Sequence, residues 1–254
     1  KGIPAVYTPC AVLGVTAPAS IAGVLVQTLA DALFTVVLCC LKKPGSPLIL
    51  GGIQSVMVQA KVTPSYGSPE LHLTSAAMTE IYKWLGLLSS SAGGCTDAKL
   101  VDEQAASESV MSIYNNLMAG TNLIHQVGCL DGGLTGSLAS LVMCDEIIAM
   151  IQQIGKGIQV TDETLALDIL KEVGPGGEFL SHDHTYDHWK EWFRPTIIDR
   201  SNFEAWSQAG IKTYNDRLEP EVDRILESHA PEPLDENIVQ EMKKIINLAD
   251  NKEV

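Results

Sequence analysis

Four times in the first 155 residues, a short apolar run gives way to small or polar residues and then to a helical pattern. The runs are residues 3–10 (IPAVYTPC), 47–54 (PLILGGIQ), 86–92 (GLLSSSA) and 122–129 (NLIHQVGC). Each is short, apolar on both faces and bounded by Gly or Pro, as a buried parallel strand should be. The spacing predicts helices from Pro18 through the apolar segment to residue 41, and over 68–85, 98–118 and 135–154. Gly86 and Gly120 stand just past two of these helices, where a left-handed cap is needed. Gly-Gly pairs at 51–52, 93–94 and 132–133 recur at intervals of 42 and 39 residues, the size of one strand-loop-helix-loop unit. After residue 157 the pattern turns wholly helical, over 161–173, 212–228 and 234–251, with a Gly-rich loop at 174–178 and a His- and aromatic-rich stretch up to 206.

Four such units are half of a (β/α)8 barrel, which takes about 250 residues for all eight. The expected architecture is therefore α/β: residues 1–157 as the C-terminal half of a (β/α)8 TIM barrel, and 158–254 as a helical C-terminal extension packed on it. A four-stranded open sheet with the tail over one edge is the alternative.

Charge sharpens the division. Residues 161–254 carry 21 Asp and Glu against 10 Lys and Arg, whereas residues 1–160 carry 10 against 7. The net charge of -14 argues against nucleic acid or an anionic membrane as the main partner, since both require clustered basic residues. Residues 16–41 have about the length of a membrane span. Asp31 in their middle and the Thr16-Ala17-Pro18 start favour instead a helix buried between the sheet and its neighbours. Six cysteines without a C-x-x-C pair read as reduced, buried thiols of a cytoplasmic protein.

In either architecture chemistry belongs at the C-terminal ends of the strands. That places Tyr7, Cys10, Gln54, Ser89–Ser91, His125 and Gln126 at strand ends, with Asp97, Lys99, Asp131 and Glu178 on the loops that follow. His125 stands where an apolar residue is expected, and strand alternation would put it and Gln126 on opposite faces. His182, His184 and His188 in SHDHTYDHWKEW have a spacing that suggests metal ligands, but no strand precedes them, and solvated or hydrogen-bonded imidazoles are the expectation. The glycine pairs lack the basic residues of a phosphate site.

GGCTDAKLVDEQAASE, NLIHQVGCLDGG and GPGGEFLSHDHTYDHWKEWFRPTIIDRSNFEAW together resemble the trimethylamine methyltransferase family of corrinoid-dependent methyltransferases. The resemblance covers nearly the whole chain. It implies a (β/α)8 barrel about twice this length, and transfer of a methyl group from an amine to the cobalt of a corrinoid carried by a separate, cognate corrinoid protein. It also implies a cytoplasmic homo-oligomer that binds no metal of its own. Trimethylamine enzymes hold pyrrolysine near the position of residues 91–96. Here that stretch is Ser91-Ala92-Gly93-Gly94-Cys95-Thr96, so the chain is most similar to the pyrrolysine-free branch, which acts on glycine betaine and related quaternary amines.

On that reading His125 is the catalytic candidate, and Tyr7, Gln54, Ser91, Gly93, Gly94 and Gln126 are substrate-binding candidates. Tyr7 would face the ammonium group, His125 and Gln54 a substrate carboxylate, and Gly93-Gly94 would leave room for substrate or corrinoid. A barrel lyase or isomerase and a non-catalytic corrinoid-protein docking subunit are the alternatives.

Overall fold

A computed structural model describes residues 3–58 and 63–250. In chain order the elements are β1 (Ala5–Tyr7), β2 (Cys10–Leu13), α1 (Ile21–Lys42), β3 (Leu48–Leu50), β4 (Ile53–Val58), β5 (Thr63–Pro64), α2 (Pro69–Trp84), β6 (Leu88–Ala92), α3 (Glu103–Ala119), β7 (Leu123–His125), β8 (Cys129–Leu130), β9 (Thr135–Gly136) and α4 (Leu138–Gly155). The tail adds α5 (Asp162–Leu165), α6 (Leu167–Val173), α7 (Asp183–His188), α8 (Phe203–Gln208), α9 (Tyr214–Ser228) and α10 (Glu236–Asp250). The expected helix over 234–251 forms as α10, and residue 251 lies outside the described residues.

The fold is α/β, with alternating strand and helix units around a parallel sheet. The main sheet has the order β1-β3-β6-β7, with every pairing parallel. β2 and β4 continue the first two strands past short breaks at Thr8-Pro9 and Gly51-Gly52, and pair in parallel themselves. Units consecutive in sequence are thus neighbours in space, and the order never reverses.

Each long helix starts at a side-chain cap that satisfies an otherwise orphaned backbone donor. Ser20, Ser68, Asp102 and Ser137 accept from the amides of Gly23, Leu71, Ala105 and Ser140. Three starts therefore fall later than the periodicity predicts, because loop contacts claim the preceding residues. Thr16 accepts from Val12 N. Ala98 N donates to Thr96 Oγ1, and Ala98 O accepts from Asp131 N. Thr135 and Gly136 form β9, which pairs with β8. The predicted helix over 161–173 breaks at Ala166, whose φ of 50° is left-handed.

The sheet has two unlike faces. Leu50 and Tyr7 pack with Ala32, Met78 and Tyr82 of α1 and α2. Their strand neighbours Val6 and Leu88, aligned with Ile49, point the other way, and Val6 and Leu88 are about half exposed. One face is thus covered by helices; the other, the open face, exposes Val6 and Leu88 near the strand starts and buries Ser90 and Ala92 nearer the strand ends.

α1 is less covered than the sequence leads one to expect. Both α1 and α4 are long and apolar enough to cross a membrane by length and composition, yet only 17% of the apolar window of α1 is buried. It packs on β2, β3, β4 and α2, which leaves Val26, Phe34, Val37 and Leu41 exposed on its far side. The cysteines also depart from expectation. Cys95 and Cys144 are buried, but Cys10 and Cys40 are exposed, and all six are free.

The tail is fastened to the sheet-bearing part by one buried carboxylate. Glu146 of α4 accepts backbone N–H groups from Thr196, Ile197 (2.7 Å) and Ile198 (2.9 Å). Beside it Ile197 and Leu218 join the apolar cluster of Ile113, Met143, Cys144 and Ile147. Charge-assisted bonds of this kind are strong, and removing the acceptor strands three donors. Glu146→Ala in the intact protein should cost about 3 kcal/mol, a loss of roughly 5–10 °C in Tm. Glu219→Ala on exposed α9 surface should change Tm by about a degree or less. Calorimetry of both variants checks the contrast.

Candidate functional site at the strand ends

Three loops meet beyond the C-terminal ends of the strands: residues 63–68 before α2, 93–98 after β6, and 126–133 after β7. Backbone bonds join the last two. Thr96 N donates to Cys129 O, Gly128 N to Gly94 O, Asp131 N to Ala98 O and Gly132 N to Thr96 O. Cys95 and Cys129 form a parallel bridge where the strands themselves have ended.

The first loop is held to the second by Asp97. Its carboxylate accepts Tyr66 N (2.8 Å), Gly67 N (3.1 Å) and the Ser65 hydroxyl. Glu108 of α3 fixes Asp97 in turn, accepting Asp97 N at 2.7 Å and the Thr96 hydroxyl. Lys99 pairs with Asp131 at 3.1 Å. Asp97 and Glu108 thus tie the first loop to the second, and backbone bonds tie the second to the third.

The chain bends sharply here. Gln126 (φ 65°) and Asp131 (φ 53°) are left-handed without being glycine, and Gly94, Gly128, Gly132 and Gly133 share that conformation. Such backbone is uncommon and persists where the surroundings impose it.

His125 ends β7, aligned with Ala92 on the open face of the sheet. Its Nε2 is buried and has no hydrogen-bond partner among the described residues. Burial pushes its pKa below the ordinary imidazole value. Alternation does not extend to Gln126, because the strand ends at His125 and the left-handed residue turns the chain. Gln126 reaches Tyr66 instead, and its hydrogen bond favours the ionised phenol, as a bond donated by the amide N–H would. Burial outweighs it and raises the Tyr66 pKa. Gln126 Oε1 is left buried and unpartnered among the described residues.

The other candidates lie elsewhere. The Tyr7 ring belongs to the helix-side cluster with Leu50 and Tyr82. Gln54 is fully buried on the same side, its Nε2 donating to Thr28 Oγ1 of α1 at 3.3 Å. Ser91 is aligned with Ile124, which lies towards Asn116 of α3, so it too faces the helices. Gly93 and Gly94 are small for an internal reason. A Cβ on Gly93 would stand 2.7 Å from Ile124 Cγ2, and one on Gly94 3.2 Å from Cys144 Sγ. They admit close packing within the fold rather than opening a space above it.

Of the candidates read from the sequence, His125, Gln126 and the Gly93-Gly94 pair reach the loop junction, the glycines as close-packed backbone. Sequence reasoning missed Tyr66, Asp97 as an anchor, and the Gly132-Gly133 pair as a lining. The Tyr-Gly-Ser-Pro sequence at 66–69, a turn leading into a capped helix, was the available signal.

In the histidine stretch, two of the three imidazoles bond within the tail. His182 caps α7, its Nδ1 accepting from His184 N at 3.1 Å, and His188 bonds Glu191 at 3.0 Å. Among the described residues no group of three or more His, Cys, Asp and Glu could hold a metal ion. Glu178 turns back on its own loop, accepting from Leu180 N and Ser181 Oγ. A cavity of about 510 Å³ lies between α4, α9 and residues 193–197, away from the strand ends.

Comparison with known proteins places this geometry. The profile of the trimethylamine methyltransferase (MTTB) family matches residues 1–252. A trimethylamine methyltransferase, MttB, of Desulfitobacterium hafniense (strain DSM 10664 / DCB-2) is 37% identical over 96% of this chain and 49% of its own length. MttB of Methanosarcina barkeri (strain Fusaro / DSM 804) is 34% identical over 98% of this chain and 50% of its own. A glycine betaine methyltransferase of Desulfitobacterium hafniense (strain Y51) is 33% identical over 92% and 49%. The chain spans about half the length of the curated relatives it matches.

The buried imidazole gives a test of sign. A folded-state pKa below the unfolded value means that the unfolded chain binds more protons as pH falls. The stability contributed by neutral His125 is present above the unfolded value near 6.5 and is lost as pH drops through the lower folded value. NMR titration should find the His125 ring still neutral at pH 6.5. His125→Phe should flatten the loss of stability between pH 7 and 5, with the part due to His72, whose pKa burial also lowers, remaining.

Proposed function

We propose, from the premise that this chain belongs to the trimethylamine methyltransferase family, that it is part of an enzyme that moves a methyl group from a quaternary amine to a corrinoid protein. The structural counterpart of that reading is a half (β/α)8 barrel, residues 1–157, with residues 158–254 as its extension. The unreversed strand order β1-β3-β6-β7 and the open, partly apolar inner face support it. A doubly wound sheet reverses its order at a switch point, and this one does not.

The observation that carries the substrate proposal is the make-up of the loop junction. Its carboxylates are already committed, Asp97 to three donors and Asp131 to Lys99, and its remaining groups are neutral: Tyr66, Cys95, Gln126, Gly132 and Gly133. Burial pushes the Cys95 thiol up to about 12, so it stays protonated. Apart from His125, a neutral imidazole whose pKa burial lowers, none of these groups is the free acid or base that proton transfer near neutrality would use. Demethylating a quaternary ammonium needs neither. The C–N bond breaks with its electron pair going to nitrogen, and a neutral tertiary amine leaves without a proton.

A corrinoid carried on its own protein would supply the Co(I) electron pair to which the methyl group goes. This chain's residues bind and orient the cation and exclude water. His125, neutral and with Nε2 free among the described residues, is placed to donate to a substrate carboxylate where one is present. Tyr7 and Gln54, held on the helix side, support the strands instead. The ordinary residues at 91–96 favour a betaine-like amine over trimethylamine.

Full-length protein mixed with Co(I) corrinoid and a panel of betaines should discharge the Co(I) absorbance with at least one of them and not with trimethylamine. No discharge with any quaternary amine contradicts the proposal. His125→Ala should lower that rate by about 100-fold with a small change in Tm. Equal loss of both would make His125 a packing residue.

A further inference from the structure

We propose that Tyr66 is the aromatic wall on which the substrate's ammonium group rests, with Asp97 as its positioning residue. The inference deepens the quaternary-amine reading and rests on it. Three loops from three successive units converge on this one ring. Its backbone N–H is tied to the Asp97 carboxylate at 2.8 Å, and the Gln126 amide and the ring's Cζ stand within 4 Å of the same point beside Gly133. A residue held at its backbone loses less freedom when a ligand arrives.

Beside the ring is a recess the size of a methyl group. A carbon placed where the Gly133 Cβ would stand lies 3.5 Å from Gln126 Nε2, 3.7 Å from Cys95 Sγ and 3.9 Å from Tyr66 Cζ. At Gly132 the same construction gives 3.9 Å to Tyr66 Cδ2 and 3.7 Å to Asp97 Oδ1. These are ordinary van der Waals contacts, in contrast to the clashes at Gly93. The lining is aromatic, sulfur and neutral amide, with the Asp97 carboxylate behind it. That combination attracts an N-methylated cation through the ring's negative face, and the Asp97 carboxylate, already holding three donors, acts by fixing where the ring stands. Gln126 Oε1, buried and unpartnered among the described residues, is an acceptor for the polarised C–H of an N-methyl group.

Isothermal titration of the full-length protein with glycine betaine and with 3,3-dimethylbutanoate tests this. The two ligands share shape and carboxylate and differ in the charge of the trimethyl head. Wild type should prefer the cation. Tyr66→Leu should shrink that preference about tenfold, whereas Tyr66→Phe, which keeps the ring, should retain it to within about threefold. Asp97→Asn should lower the preference without removing the ring. Tm and circular dichroism confirm that each variant folds. A Tyr66→Leu protein that is folded and weakens both ligands equally, or neither, overturns the inference alone. A wild type that discharges Co(I) with no quaternary amine overturns the reading beneath it, and the inference with it.

Discussion

The Asp97 carboxylate is the contact on which the strand-end geometry depends. Residues 65–67 and residue 97 lie in different βα units, and nothing in their local sequence brings them together. Three donors on one loop converge on one acceptor on the next, and Glu108 holds the backbone that carries this acceptor. Because the acceptor is charged and the setting partly buried, each bond is stronger than a neutral one in water. Take the carboxylate away, and Tyr66, Gly67 and Ser65 lose their common partner at once. The second and third loops would stay joined by their backbone bonds, while the first would lose its anchor.

Below this junction the sheet sorts its side chains by alternation. Tyr7, Leu50 and Ser91 go to the helices, while Val6, Ile49, Leu88 and His125 go to the open face. The glycine pairs follow the same logic. Gly93 and Gly94 sit where strand meets helix, Gly93 with no room for a methyl group and Gly94 with little. Gly132 and Gly133 sit above the strands and have room for one. Small residues of the same type therefore serve opposite ends, close packing inside and a recess outside.

Much of the fold was legible because periodicity and punctuation are local. The strand runs, the four long helices and the cap at Gly120 follow from spacing alone. Helix starts were read early wherever a loop contact across the chain claimed the residues before the cap, as at Ala98 and Thr135. The site was legible only in part. His125 stood out because a polar residue interrupts an apolar run. Tyr7 and Gln54 were assigned to the mouth by position along the strand, and facing cannot be read when both faces are apolar or when the chain breaks at Thr8-Pro9 and Gly51-Gly52. Tyr66 was invisible to this reasoning because its place is set by Asp97, 31 residues away.

The central claim is that Asp97 acts on the substrate through Tyr66. A double-mutant cycle on the dissociation constant for glycine betaine in the full-length protein isolates that link. If the account is right, Asp97→Asn weakens binding in the wild type and has almost no further effect in the Tyr66→Leu background. If the two losses simply add, Asp97 and Tyr66 act independently and the account is contradicted.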